Sequence, residues 1–111
     1  MRVISQDGTM DVPYEISSFS MAVGKYENVE HAVIFCYNYS TSMGTKMAEY
    51  GSKEKAKKAM EMLRIAYENN EFYHHISNSE HFTEFTKALS EEMFKKATSE
   101  YFQFPTEEEL E

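Results

Sequence analysis

The sequence predicts an α+β fold in which an antiparallel sheet of four to six short strands carries two amphipathic helices packed on one face. Three observations lead to this prediction. The length of 111 residues suits one domain with one hydrophobic core. Apolar and polar residues alternate in short runs through residues 1–51. Apolar residues then recur at helical spacing over residues 52–70 and 77–99.

The N-terminal residues predict a β hairpin followed by a third strand. Asp7-Gly8 lies between two short runs, and this dipeptide favours the positive φ angles that a tight hairpin turn needs. Pro13 has no backbone donor, so the second arm is expected to end there or to lie at a sheet edge. Alternation predicts a strand over residues 18–23, and residues 24–30 are expected to form a connector.

Residues 31–39 predict the central strand of the sheet. They are apolar on both alternations, a pattern that favours a strand covered on both faces. Residues 40–44 resemble a turn, and a short strand over 45–50 is expected to stop at Gly51.

Two helices are predicted after Gly51. Ser52 is a plausible N-cap for the first helix, and the second begins with a capping box from Ser77 to Glu80. The apolar stripe of the first helix consists of Ala56, Ala59, Met60, Leu63, Ala66 and Tyr67. The stripe of the second helix consists of Phe82, Phe85, Leu89, Met93 and Ala97.

The C-terminal residues predict a last edge strand over 101–104 and an acidic, solvated tail over 105–111. The charge distribution separates this part of the chain from the rest. Residues 1–67 hold eight acidic and eight basic side chains, whereas residues 68–111 hold eleven Glu and three Lys and therefore carry the whole net charge of -8. An acidic third on a neutral body indicates either solubilisation or a surface for a basic partner.

Composition excludes several classes of protein. No apolar run approaches the roughly 20 residues of a membrane-spanning helix. The single cysteine, Cys36, cannot form an intramolecular disulfide, and together with the lack of a secretion signal this predicts a cytoplasmic protein. Direct binding to duplex nucleic acid is not expected, because such binding relies on an excess of Lys and Arg.

Three blocks of the sequence are distinctive: RVISQDGTMDVPYE at residues 2–15, MAEYGSKEKAKKAMEMLRIAY at 47–67 and FQFPTEEEL at 102–110. They resemble a family of small, mostly uncharacterised proteins from phages, prophages and conjugative elements of Gram-positive bacteria. The blocks contain no known catalytic motif, so the resemblance implies a mobile element in a bacterial host more than a chemistry. Residues 19–45 and 71–99 look particular to this chain, which makes them the segments in which to look for function.

Histidines provide one candidate site. His74, His75 and His81 lie within eight residues, and Cys36 and His31 are further zinc-type ligands that can approach in space. Adjacent histidines point apart on a helix or a strand, so at most one of the first two easily joins His81. No CxxC or HExxH spacing is present. Structural histidines are therefore the default interpretation, with a zinc-binding module as an alternative.

Lysines at the start of the first helix provide a second candidate site. The cluster consists of Lys53, Lys55, Lys57 and Lys58. Cations are unfavourable at a helix N-terminus, but with free backbone amides they can bind an anion. Together with stacking tyrosines, of which the chain has eight, they suggest a protein that binds or sequesters a nucleotide signal. The alternative is a solvated face with Glu54 and Glu61 as partners.

The acidic C-terminal third provides the leading candidate. Its proposed partner-binding residues are Glu80, Glu84, Glu91, Glu92 and Glu100, followed by the glutamates of the tail. Carboxylates along a helix can imitate a nucleic-acid backbone and occupy a basic groove. A charged face that only keeps the domain soluble is the alternative.

Catalysis has little support, because the sequence contains no Walker loop, GxSxG elbow or GxGxxG motif. A lone cysteine in an apolar strand is more often a core thiol than a nucleophile. The leading expectation is a non-enzymatic accessory protein that inhibits a host defence component, most concretely an anti-CRISPR protein that blocks a type II CRISPR effector nuclease. No cofactor is expected unless zinc binds, and the oligomeric state stays open.

Overall fold

Six strands and one α-helix make up the described part of the chain. The computed structural model describes the backbone of residues 1–38, 41–76 and 101–110, and the side chains of 1–38, 44–72 and 101–110. The strands are β1 (Arg2–Ile4), β2 (Asp11–Pro13), β3 (Ser18–Tyr26), β4 (Val29–Asn38), β5 (Thr41–Tyr50) and β6 (Tyr101–Gln103). The helix α1 spans Lys53–Ile76, and short 3-10 turns occupy Tyr14–Ile16 and Glu108–Leu110.

The α+β class is confirmed, but the strands form two three-stranded sheets where one sheet was predicted. The first sheet has the order β2-β1-β6, with β2 antiparallel and β6 parallel to β1. The second is the antiparallel meander β3-β4-β5. Pro13 and the following 3-10 turn separate β2 from β3, which accounts for the division. The predicted second helix, 77–99, lies outside the described residues.

The β1–β2 hairpin is confirmed, although its turn differs from the expected tight one. Ile4 pairs with Asp11, so six residues connect the strands, and of Asp7 and Gly8 only Gly8 has a positive φ, of 78°. The Asp7 carboxylate accepts hydrogen bonds from the Ser5 hydroxyl, at 2.7 Å, and from the Thr9 hydroxyl and amide, at 2.6 and 3.0 Å. These bonds lower the pKa of Asp7 to about 2 and hold the wider loop in one conformation.

The tight turn occurs instead between β3 and β4. The connector predicted over residues 24–30 is wrong, because both strands continue to a two-residue turn at Glu27 and Asn28. These residues have φ angles of 51° and 65°, as a two-residue hairpin turn with right-handed strand twist requires. The result is a long hairpin in which Ser18 pairs with Tyr37 and Tyr26 pairs with Val29.

One hydrophobic core joins the helix to both sheets. On the inner face of β4, Ala32, Ile34 and Cys36 are fully buried. The rest of the core consists of Val3, Val12, Met47, Ala48, Tyr50, Ala56, Ala59, Leu63, Phe104 and Leu110. On β5 the pairing passes from Ala48 directly to Lys46, so the bulged Met47 is buried beside Ala48.

The outer face of β4 is not buried like the inner one, so the prediction of a strand covered on both faces is wrong. His31, Val33 and Phe35 are half-buried, and Tyr37 is exposed. The sequence misleads because an apolar run resembles a fully buried strand even when only its alternate residues enter the core.

Residues 104–110 are folded against the core, so the described part of the predicted tail is not solvated. Phe104, Pro105 and Leu110 are buried. The Tyr50 hydroxyl donates a hydrogen bond to the Pro105 carbonyl at 2.7 Å, and the Gln6 side-chain amide donates to the same oxygen at 3.2 Å. Burial raises the pKa of Tyr50, so this phenol stays a neutral donor at physiological pH.

Candidate functional site

The N-terminus of α1 is occupied by groups of the protein itself. The Ser52 hydroxyl accepts a hydrogen bond from the Lys55 amide at 3.2 Å, which confirms the predicted N-cap. Glu30 accepts from the Lys53 amide at 3.1 Å, and Glu107 accepts from the Gly51 amide at 2.7 Å. These two carboxylates bind at the start of α1, where the sequence predicted that an external anion could bind.

The four lysines of the predicted cluster have different surroundings. Lys55 forms an ion pair with Glu107 at 3.3 Å, and the Gly51 amide and this ammonium lower the pKa of that carboxyl. Lys53 and Lys58 are exposed. Lys57 alone of the four lines a large surface groove.

This groove lies between α1 and the segment that joins β2 to β3. Its volume is about 760 Å³, within the range of small-molecule sites. The joining segment contributes Tyr14, Glu15 and Ser17, and the start of β3 contributes Phe19. The helix contributes Lys57, Met60, Glu61, Leu63, Arg64 and Tyr67.

A stack of aromatic rings joins the two walls of the groove. The Tyr14 ring stacks on Tyr67 with centroids 4.1 Å apart and on Phe19 at 6.0 Å. Phe19 in turn meets the buried Phe104 edge-on at 6.2 Å. Ring pairs at such distances fix one another's orientation, so the ring stack is anchored to the core.

Two cations and two carboxylates surround these rings. Glu61 pairs with Arg64 at 4.0 Å, and the Met1 α-amino group donates to Glu15 at 2.6 Å, which lowers the pKa of Glu15. Among the described residues no carboxylate forms an ion pair with Lys57. The groove therefore offers an ammonium without a protein counter-ion within the described part of the chain.

The Tyr67 phenol completes the polar lining. Desolvation, followed by the nearby charges of Glu71 and Glu15, raises the pKa of Tyr67. A hydrogen bond to Glu71 acts in the same direction, so the hydroxyl is kept in its neutral form and its oxygen can accept a hydrogen bond in the groove.

Only part of the predicted acidic surface lies within the described residues. Glu80, Glu84, Glu91, Glu92 and Glu100 lie outside the described residues. Of the glutamates that follow β6, Glu107 binds the start of α1, whereas Glu108 and Glu109 are exposed. Glu109 also accepts hydrogen bonds from the Thr106 amide and hydroxyl at 3.2 and 3.0 Å, which stabilises the final turn.

The zinc ligands suggested by the sequence do not assemble within the described part of the chain. Cys36 is buried on the inner face of β4, and His31 lies on the outer face, 3.5 Å from Glu49, so these two cannot share a metal. His74 and His75 belong to α1, and His81 lies outside the described residues. No group of three metal-ligating side chains occurs among the residues described.

Comparison with known proteins supplies no relative: the chain matches no protein-family model, no curated protein and no solved structure. Within the described residues, no helix is long and apolar enough to cross a membrane.

The sequence pointed to Lys57 and to stacking tyrosines but did not locate the groove. Tyr14 was one of eight tyrosines that the sequence did not distinguish, Phe19 belonged to the strand predicted over residues 18–23, and Arg64 was not singled out. A signal was present, because Lys57, Arg64 and Tyr67 recur at spacings of seven and three and so share one side of a helix. The opposing wall, about 45 residues earlier in the chain, had no such signal.

Proposed function

We propose that the protein is a non-enzymatic binding protein whose groove takes a small anionic ligand with an aromatic ring, of the nucleotide class. The observation that carries this proposal is the position of two cations beside a stack of aromatic rings. Aromatic side chains stack on nucleobases, and Lys and Arg bind phosphate oxygens.

The spacing along α1 fits a ligand of this size. Lys57 and Arg64 are seven residues apart, so their Cα atoms are separated by about 10 Å along the helix axis. Tyr67 lies one turn beyond Arg64, which puts the ring stack at one end of the cationic stretch. A phosphate near Lys57 and a base near the rings would use both features.

Calorimetric titration with ATP, GTP, cyclic mononucleotides and cyclic dinucleotides tests the proposal. We expect one of these ligands to bind with one-to-one stoichiometry. Lys57→Ala should weaken its binding about tenfold or more, because a hydrogen bond to a charged group contributes about 1.5–3 kcal/mol. Lys58→Ala is the matched control, since Lys58 is exposed on the same turn but does not line the groove.

Two results would contradict a nucleotide groove. One is the absence of measurable heat with every ligand of the panel at millimolar concentration. The other is equal binding by the Lys57→Ala and Lys58→Ala variants, which would mean that the ligand binds to another surface.

A second candidate function is inhibition of a host defence protein, and the charge distribution favours it. The whole net charge of -8 belongs to residues 68–111. The resemblance to proteins of mobile elements implies that the protein acts in the cytoplasm of a bacterial host. In this proposal the acidic surface occupies the basic nucleic-acid channel of a type II CRISPR effector nuclease. Such an anti-CRISPR protein would need no catalytic residue, no cofactor and no direct contact with duplex DNA.

Charge reversal tests this second proposal. We expect the triple change Glu84→Lys, Glu91→Lys and Glu92→Lys to weaken inhibition of target cleavage about tenfold or more, because close charge pairs across an interface contribute at least about 1.5 kcal/mol each. The matched control reverses Glu27, Glu54 and Glu61, which are exposed and lie outside residues 68–111. Unchanged inhibition by the first variant would exclude the acidic mechanism.

A further inference from the structure

Strand β3 forms the longest open sheet edge among the described residues. Its nine residues pair with β4 on one side only. The far edge of the same sheet is covered in part, since the Gln6 amide donates to the Met47 carbonyl at 2.7 Å and the Gln6 side chain accepts from the Glu49 amide at 3.0 Å. On β3 the residues from Ala22 to Tyr26 are exposed on both faces.

The hairpin geometry identifies the backbone groups on this edge. A two-residue turn makes Tyr26 and Val29 a hydrogen-bonded pair, and such pairs alternate with non-hydrogen-bonded ones along an antiparallel ladder. The even-numbered residues of β3 therefore bond to β4. The outward amide and carbonyl groups belong to Phe19, Met21, Val23 and Lys25.

We propose that this edge pairs antiparallel with the same edge of a second copy of the chain, about a two-fold axis at Ala22. The four outward residues then form the hydrogen-bonded pairs, Met21 with Val23 and Phe19 with Lys25 of the other copy. The two meanders become one six-stranded sheet. The ladder between the copies contains about eight hydrogen bonds, two for each hydrogen-bonded pair.

The sequence of β3 suits this register. Except for Tyr26 at one end, the non-hydrogen-bonded positions, where side chains approach most closely, carry the small residues of the strand. Ala22 meets its own copy, Ser20 meets Gly24, and Ser18 meets Tyr26. A Cβ on Gly24 would have no neighbour within 4 Å, so there is space beside it for a residue of the second copy.

The edge itself adds little charge repulsion between two copies. The chain carries a net charge of -8, yet Lys25 is the single charged residue of β3. In the proposed register Lys25 and its counterpart lie at opposite ends of the ladder, each beside a Phe19 ring with which an ammonium can interact favourably. The acidic parts of the chain, which would repel one another, are not in the ladder.

The size of the contact predicts a weak dimer. Nine paired residues form a strip about 30 Å long. Because only one strand from each copy takes part, the buried area is expected to stay below the roughly 1,200 Å² at which standard-sized interfaces begin. Association should therefore depend on concentration.

A cysteine scan tests the register. Ala22→Cys puts two thiols at a non-hydrogen-bonded pair with Cα atoms about 4.5 Å apart, within disulfide range. We expect this variant to form a disulfide-linked dimer under mild oxidation. Ser20→Cys is the control, because its counterpart would lie about four residues away along the strand, and the natural Cys36 is buried. Equal cross-linking of the two variants would overturn the proposed register.

Sedimentation equilibrium tests the edge itself. We expect the unmodified chain to move from monomer to dimer as its concentration rises from about 1 μM to about 500 μM, as weak interfaces do. Val23→Pro removes an outward donor without touching the bonds to β4, so it should stay monomeric, while Val23→Thr keeps the donor and should dimerise. A monomeric unmodified chain, or equal association of the two variants, would overturn the proposal.

Discussion

Replacing Phe104 by alanine is expected to lower the free energy of unfolding by about 3–5 kcal/mol. The side chain is 1% exposed and meets the rings of Phe102 and Phe19 edge-on, with centroids 5.4 and 6.2 Å away. Alanine would leave a cavity at the point where the C-terminal segment meets the core. Denaturant titration followed by circular dichroism measures the change.

The neighbouring exposed aromatic residue supplies the control for this prediction. Tyr101 is 60% exposed, so Tyr101→Ala should cost less than about 1 kcal/mol. Similar stabilities of the Phe104→Ala and Tyr101→Ala variants would mean that the C-terminal segment is not docked as described. The experiment therefore separates a folded segment from the solvated tail that the sequence predicted.

Replacing Ile34 by alanine is expected to lower the free energy of unfolding by about 2–5 kcal/mol. Ile34 is fully buried at the centre of the meander, between Met21 and Ala48 on the adjacent strands. The neighbouring strands limit how far the site can collapse, so most of the cavity should remain. Thermal and denaturant unfolding measure this effect.

Phe35→Ala tests which face of β4 belongs to the core. Phe35 is next in the chain, lies on the outer face and is half-buried. It should therefore cost less than Ile34→Ala, although it removes more atoms, with a loss of less than about 2 kcal/mol. If Phe35→Ala proves the more destabilising change, the outer face is covered in solution and the one-sided core is wrong.

Local sequence patterns predicted the elements of the chain better than their connections. The Ser52 cap, the apolar stripe of the first helix and the inner-face alternation of β4 all appear in the structure. Each depends on residues within a few positions of one another. The turn between β3 and β4 was missed because Glu-Asn is a weaker turn signal than Asp-Gly, although here both residues have positive φ.

The candidate groove, too, could be predicted only where it depends on residues close together in the chain. The helix side of the groove can be inferred from the spacing of Lys57, Arg64 and Tyr67. The opposing Tyr14 and Phe19 come from a segment whose position depends on the break between the two sheets. Similarly, the sequence predicted the four lysines as one site because nothing local distinguishes them. The structure distinguishes Lys55, because its ammonium pairs with Glu107, which is distant in the chain.

The sequence by itself determined the α+β class, the helix start at Ser52, the inner-face residues of β4 and the acidic character of residues 68–111. Only the tertiary structure decided that the strands divide into two sheets, that the C-terminal residues close the core, and that Glu30 and Glu107 bind the helix start. The physical reason is that periodicity identifies the apolar side of an element but does not identify the residue that packs against it. Contacts between residues far apart in the chain depend on packing and hydrogen bonds that no local pattern encodes.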